Sequence, residues 1–177
     1  MPVVPQQPVP PVAERERLVE KIARELSREG EQGEPLIFEN SIQDTKKFFA
    51  IVVWSEWRFI PTRQRASIIL EAYQKYDEEH RDDPKGPHLA MASGLTWDEA
   101  DAKGLFPFSI YPHVRDGVDS QAIHNAMVQE GGIETASGVK LFFASRNSAE
   151  AALQRLYARF PEARWTLSER IPSAQDD

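Results

Sequence analysis

The chain has 177 residues, a formal net charge of −7, 41% hydrophobic and 28% charged side chains, and no cysteine. That is enough chain to bury one core or two small ones. The missing cysteine excludes disulfides, thiol nucleophiles and cysteine-held zinc or iron–sulfur centres, and the acidity argues against broad phosphate-backbone binding, which needs a basic face.

No apolar run approaches the ~20 residues that span a bilayer; the longest, Phe48 to Trp54, suits a buried strand. The N-terminus lacks the basic start and apolar stretch of a secretory leader. A cytoplasmic protein without membrane contact is the expectation.

Residues 1–13 open with "MPVVPQQPVPP", a proline-rich leader that favours polyproline II and opposes helix. Pro2, Pro5, Pro8 and Pro11 give P-x-x-P spacing, but the nearest arginine, Arg15, lies outside it, so a flexible leader is the preferred reading over an SH3-type ligand. From Glu14 to Glu29, Leu18, Ile22 and Leu26 recur every four residues beside Val19 and Ala23, which predicts an amphipathic helix stopped by Gly30 and Gly33. "PLIFEN" and "KKFFAIVVW" then read as a hairpin around "SIQDT". The second strand is apolar at consecutive positions and is expected to be central and covered on both faces.

Pro61 and Thr62 open the next predicted helix, with Ala66, Ile69, Leu70 and Tyr73 as its buried stripe. "DEEHRDDPKGP" is a solvated loop, and "HLAMAS" a short third strand. "TWDEADAKG" has capping-box spacing at Thr96 and Glu99 and a stop at Gly104. "LFPFSIYPHV" reads as an extended, proline-punctuated crossing segment.

The second half repeats the order. Residues 120–130 form a helix with Ile123, Ala126 and Met127 on one side, ended by Gly131 and Gly132. "IETA" and "VKLFFAS" flank the Ser137-Gly138 turn, Asn147 with Glu150 caps a helix with the stripe Leu153, Leu156, Tyr157 and Phe160, and "RWTLSERI" alternates as a half-buried strand with Trp165, Leu167 and Ile171 inward. The expected fold is α+β: two successive helix-strand-strand-helix-strand units, a possible duplication, with mixed sheets covered by helices. The expected boundaries are 14–112 for the first unit and 113–177 for the second; one mixed sheet without duplication is the alternative.

Within residues 14–100, "FFAIVVWSEW", "TRQRASIILEAY" and "HLAMASGLTWDEA" follow one another as central strand, helix and third strand with its turn. In this the segment resembles the BolA family with its class II KH-like fold. The resemblance places Ser55 at the end of the family's strand, Arg63 and Arg65 on its R-H-R motif, and Thr96 to Glu99 on its T-x-x-E end. Gln64 stands where the family has the histidine that ligates a shared iron–sulfur cluster or haem, and "ENSIQDTKK" offers neither histidine nor cysteine as a second ligand. The resemblance therefore implies the fold without the cluster, and neither cofactor nor metal is expected.

Other chemistry is thin. His80, His88, His113 and His124 lack zinc-site spacing. Gly30-Glu31-Gln32-Gly33 matches the KH G-x-x-G by letter, yet Glu29, Glu31 and Glu34 would repel phosphate. No Walker loop, dinucleotide fingerprint or G-x-S-x-G elbow is present. Asp98, Glu99 and Asp101 are explained by a helix N-terminal dipole.

The one basic island lies between Lys46 and Arg65. Lys46, Lys47, Arg58, Arg63 and Arg65, interleaved with Trp54, Trp57 and Phe59, face only Asp44 and Glu56. Arginine forks and aromatic faces at a helix start suit an anion, a single-stranded nucleic acid or an acidic motif of a partner. The expected binding residues are Lys46, Lys47, Trp57, Arg58, Arg63 and Arg65. The preferred function is a non-enzymatic interaction or regulatory module with another protein as partner. A nucleic-acid binder, and an enzyme whose carboxylates converge only in the fold, stand as alternatives.

Overall fold

A computed structural model of the chain describes residues 10–27, 34–113 and 119–169. Most of the proline-rich leader, Gly30 and Gly33, and Ile171 lie outside them. The chain forms two compact units, Met1–Thr96 and Trp97–Asp177.

The first unit runs α1 (Val12–Leu26), β1 (Leu36–Ser41), β2 (Phe48–Val53), a one-turn 3-10 helix (Ser55–Phe59), α2 (Thr62–Glu79) and β3 (Leu89–Leu95). Helix α1 starts at Val12, two residues before the expected Glu14, because Pro11 sits at the N-cap where a missing N–H costs nothing. β1 and β2 form the predicted antiparallel hairpin, and β3 joins β2 in parallel after the α2 crossover.

Ala50, Val52 and Trp54 point from β2 toward the two helices, where Leu18 and Ile22 of α1 and Ile68, Ile69, Ala72 and Tyr73 of α2 close the core. On the other face Val53 is fully buried while Phe49 and Ile51 are half-buried, so β2 is central but less completely covered than expected. The α2 stripe also differs from the sequence reading: it follows positions 65, 68, 69, 72, 73 and 76, leaving Ala66 half-buried and Leu70 44% exposed.

The second unit runs α3 (Trp97–Ala102), β4 (Phe108–His113), α4 (Ser120–Gln129), β5 (Ile133–Thr135), β6 (Gly138–Phe143), α5 (Arg146–Arg159) and β7 (Arg164–Glu169). Its sheet has the order β5-β6-β4-β7 with every neighbouring pair antiparallel, where a mixed sheet was expected. Ile110, Ile123, Met127, Val139, Leu141, Leu156 and Trp165 build its separate core. Trp97 stacks on Phe106 and Phe142 at centroid distances of 5.4 and 5.7 Å. The cap of α5 is Ser145, whose hydroxyl accepts from the Ser148 N–H; Asn147 already lies within the helix.

The boundary thus falls between Thr96 and Trp97 rather than at 112/113. "LFPFSIYPHV" contains a full strand, and the pairing of β4 with β6 and β7 binds it to the second unit. Both units contain the order α–β–β–α–β. In the second, β4 is inserted between β6 and β7; being antiparallel to both, it leaves those two parallel to each other, as β2 and β3 are.

Candidate functional site

The basic island folds into a corner between β2 and α2. After Val53 the chain keeps hold of the sheet through the Trp54 N–H, which donates to the Leu95 carbonyl at 3.0 Å, and then turns through the 3-10 helix. Trp57 drives that turn inward. Its side chain is fully buried, its indole N–H donates to the Val52 carbonyl at 2.8 Å, and its ring meets Trp54 edge-on at 5.5 Å.

Arg65 is only 5% exposed, and its guanidinium donates to the carbonyls of Ile60 at 2.9 Å and Gly94 at 3.1 Å. The close approach of β3 demands glycine at 94, since a Cβ there would lie 2.7 Å from Arg65 Cβ and 3.0 Å from the Trp57 ring. Trp57 and Arg65, both expected at the binding surface, are therefore supports of the corner. Burial removes them from contact with a ligand.

The side chains that reach solvent are Arg58, Phe59 and Arg63. Phe59 is 70% exposed, with the Arg58 guanidinium 5.6 Å from its ring centroid. Arg58 Nε donates to the Ser55 carbonyl, and among the described residues neither Arg58 nor Arg63 has a carboxylate partner within salt-bridge distance.

The nearby acid is engaged elsewhere. Glu56 takes two bonds from Arg17, at 3.2 and 2.9 Å, and this pairing holds its carboxyl below the ordinary carboxylate range. The first turn of α2 contains no acidic residue, and the Pro61 N-cap brings no side-chain acceptor to its leading N–H groups. Lys46 and Lys47 are exposed too. They sit at the opposite end of β2, a separation of roughly 20 Å at ~3.3 Å per strand residue. The island of the sequence is two patches in the fold.

A second site was not legible as a motif. In the second unit β6 pairs with β4 only over Leu141–Phe143, while Gly138–Lys140 pairs with β5 alone; β4 continues along β7 as far as His113. The two strands part after Ile110 and Leu141, two residues short of Pro112, which has no N–H to give to a ladder on either side. Between them and α4 lies a cleft of about 570 Å³.

Pro112, Ile123, Met127 and Val139 form the apolar wall of this cleft. Ser109, Tyr111, Ser168 and Lys140 face it from the sheet, and Ser120 and His124 from α4. Lys140 Nζ is 2.9 Å from Asp101, and His124 Nε2 is 3.3 Å from Glu134. The Asp119 carboxylate caps α4 by accepting from the Gln121 and Ala122 N–H groups.

Among the described residues no group of three or more His, Cys, Asp or Glu side chains is placed to hold a metal ion, and no helix is long and apolar enough to cross a membrane. Comparison of the chain with protein-family models, with curated proteins and with solved structures gives no match.

Proposed function

We propose that the chain is a non-enzymatic interaction module whose first unit offers the Arg58–Phe59–Arg63 corner to an acidic segment of a partner protein. One observation carries this reading: within the turn from β2 into α2 two exposed arginines, without carboxylate partners among the described residues, accompany a largely exposed phenylalanine that Arg58 overlies, in a chain of net charge −7. Several acids of this unit face other cations, as in Arg17–Glu56, Arg15–Glu71 and Lys75–Glu20. Arginine and aromatic side chains together are the composition of interface hot spots, and complementary charge would steer an acidic partner toward them.

The order of strand, helix and third strand supports the BolA/KH-like reading of this unit. Gln64 at the place of the family's ligand histidine argues for protein contact over cluster sharing. The nucleic-acid reading has less support, because Lys46 and Lys47 lie a strand's length from the arginines in a chain of net charge −7.

The test is fluorescence anisotropy with a labelled glutamate-rich peptide containing one aromatic residue. The Arg58→Gln/Arg63→Gln double variant should bind at least about tenfold more weakly than the parent, a loss of ~1.4 kcal/mol. Lys46→Gln/Lys47→Gln should bind like the parent. Equal losses in both variants, or none in the first, would overturn the proposal.

A further inference from the structure

We infer that the cleft of the second unit is a binding site for a small amphipathic oxyanion: an apolar body, one ring in size or a little more, bearing a carboxylate or phosphate. The cleft is independent of the arginine corner and stands on different observations. Its volume of about 570 Å³ falls in the ~300–1,000 Å³ range of sites that enclose small ligands.

Its lining is of two kinds. Ile123 and Met127 are buried and make an apolar floor with Val139 and Pro112. The lining also includes Ser109, Tyr111, Ser168 and Lys140, which carry three hydroxyls and an ammonium.

The polar lining selects for an acceptor. Among the described residues no carboxylate lines the cleft. Asp101, Glu134 and Asp119 all lie just outside and are committed to Lys140, His124 and the α4 N-terminus respectively. An ammonium has three donors; Asp101 takes one from Lys140, which leaves two for an incoming oxyanion. Ser109 is only 8% exposed, so a hydroxyl that turns toward the ligand does so out of bulk water, where a charge-assisted bond is strongest. Asp101 offsets part of the Lys140 charge, and a bare anion would therefore gain little. The apolar floor supplies the remaining affinity, which is why the ligand needs both a body and a head. A neutral molecule of the same shape would give the ammonium only neutral acceptors and forgo the charge-assisted bond, and that difference is the source of selectivity.

Two-dimensional amide NMR on the full chain tests this with four probes: benzoate, phenyl phosphate, benzyl alcohol and acetate. Benzoate, phenyl phosphate or both should shift the amides of Ser109, Tyr111, Val139 and Ser168 with saturation, and which of them binds more tightly identifies the head group. Benzyl alcohol, which lacks the charge, and acetate, which lacks the body, should each bind at least tenfold more weakly. Lys140→Met should abolish the preference for anions, and Lys140→Arg should retain it. Because freeing Asp101 risks the fold, Ser168→Val provides a check that leaves the ion pair intact, with an expected several-fold loss for the anions. The inference is overturned if benzyl alcohol matches the anions, if Lys140→Met or Ser168→Val leaves anion binding unchanged, or if none of the probes moves the cleft amides.

Discussion

Arg58, Arg63 and Arg65 look alike in the sequence and have opposite fates. Position 65 precedes Ile68, Ile69, Ala72 and Tyr76 by three, four, seven and eleven residues, which is the period of one helix face. Its burial was therefore legible from spacing. Its partners were not, because the Gly94 carbonyl lies 29 positions along the chain and meets Arg65 only after β3 has joined the sheet. Arg65→Gln should destabilise the protein by about 1–3 kcal/mol, since two carbonyls lose charged donors in a dry site. Arg58→Gln/Arg63→Gln should change stability by no more than about 0.5 kcal/mol, the usual scale for exposed positions. Urea melts of the two variants separate support from surface. Equal losses would mean that the exposed arginines also hold the turn.

At the scale of elements, periodicity alone does not fix the buried face: Leu70 of α2 and Tyr157 of α5, both expected inward, are 44% and 42% exposed. The stripes of α1 and α4 match the expected residues, whereas β4 passed for a crossing segment because Pro107 and Pro112 punctuate it. Local sequence does not reveal that a strand can be central at one end and an edge at the other.

A second element-level contact was also unforeseen. Arg17 of α1 clasps Glu56 of the 3-10 turn, 39 residues away. The carboxyl of Glu56 is depressed when folded, chiefly by the bond from Arg17. The stabilisation this gives is complete above the unfolded glutamate pKa of ~4.3 and is lost as pH falls through the lower folded value. Both side chains are partly exposed, so the pair is worth about 0.2–1 kcal/mol. Glu56→Gln should cost that amount at pH 7 and nothing at pH 2, measured by urea unfolding at both. A cost that persists in acid would assign the loss to packing.

For the molecule as a whole, the α+β class and the repeated order of elements were visible, because each apolar run is bounded by its own breakers. Sheet order was not, since strand pairing is decided by contacts remote in sequence. Each unit has its own core, and among the described residues none is shared between the two clusters. Residues 10–96 expressed alone should therefore unfold in one cooperative transition with the near-ultraviolet signature of the packed Trp54–Trp57 pair. Loss of that signature in the fragment, with helical signal retained, would show that the first core needs the rest of the chain.

The parting of β4 and β6 beyond Ile110 bears on how the second unit can diversify. The cleft is created by where the backbone goes, and only its chemistry is set by Ser109, Ser168, Lys140 and their neighbours. Such a site can exchange its lining without losing its volume, because its space lies beside the backbones of two strands that have already parted. The lining can thus drift toward new ligands while the scaffold stays put.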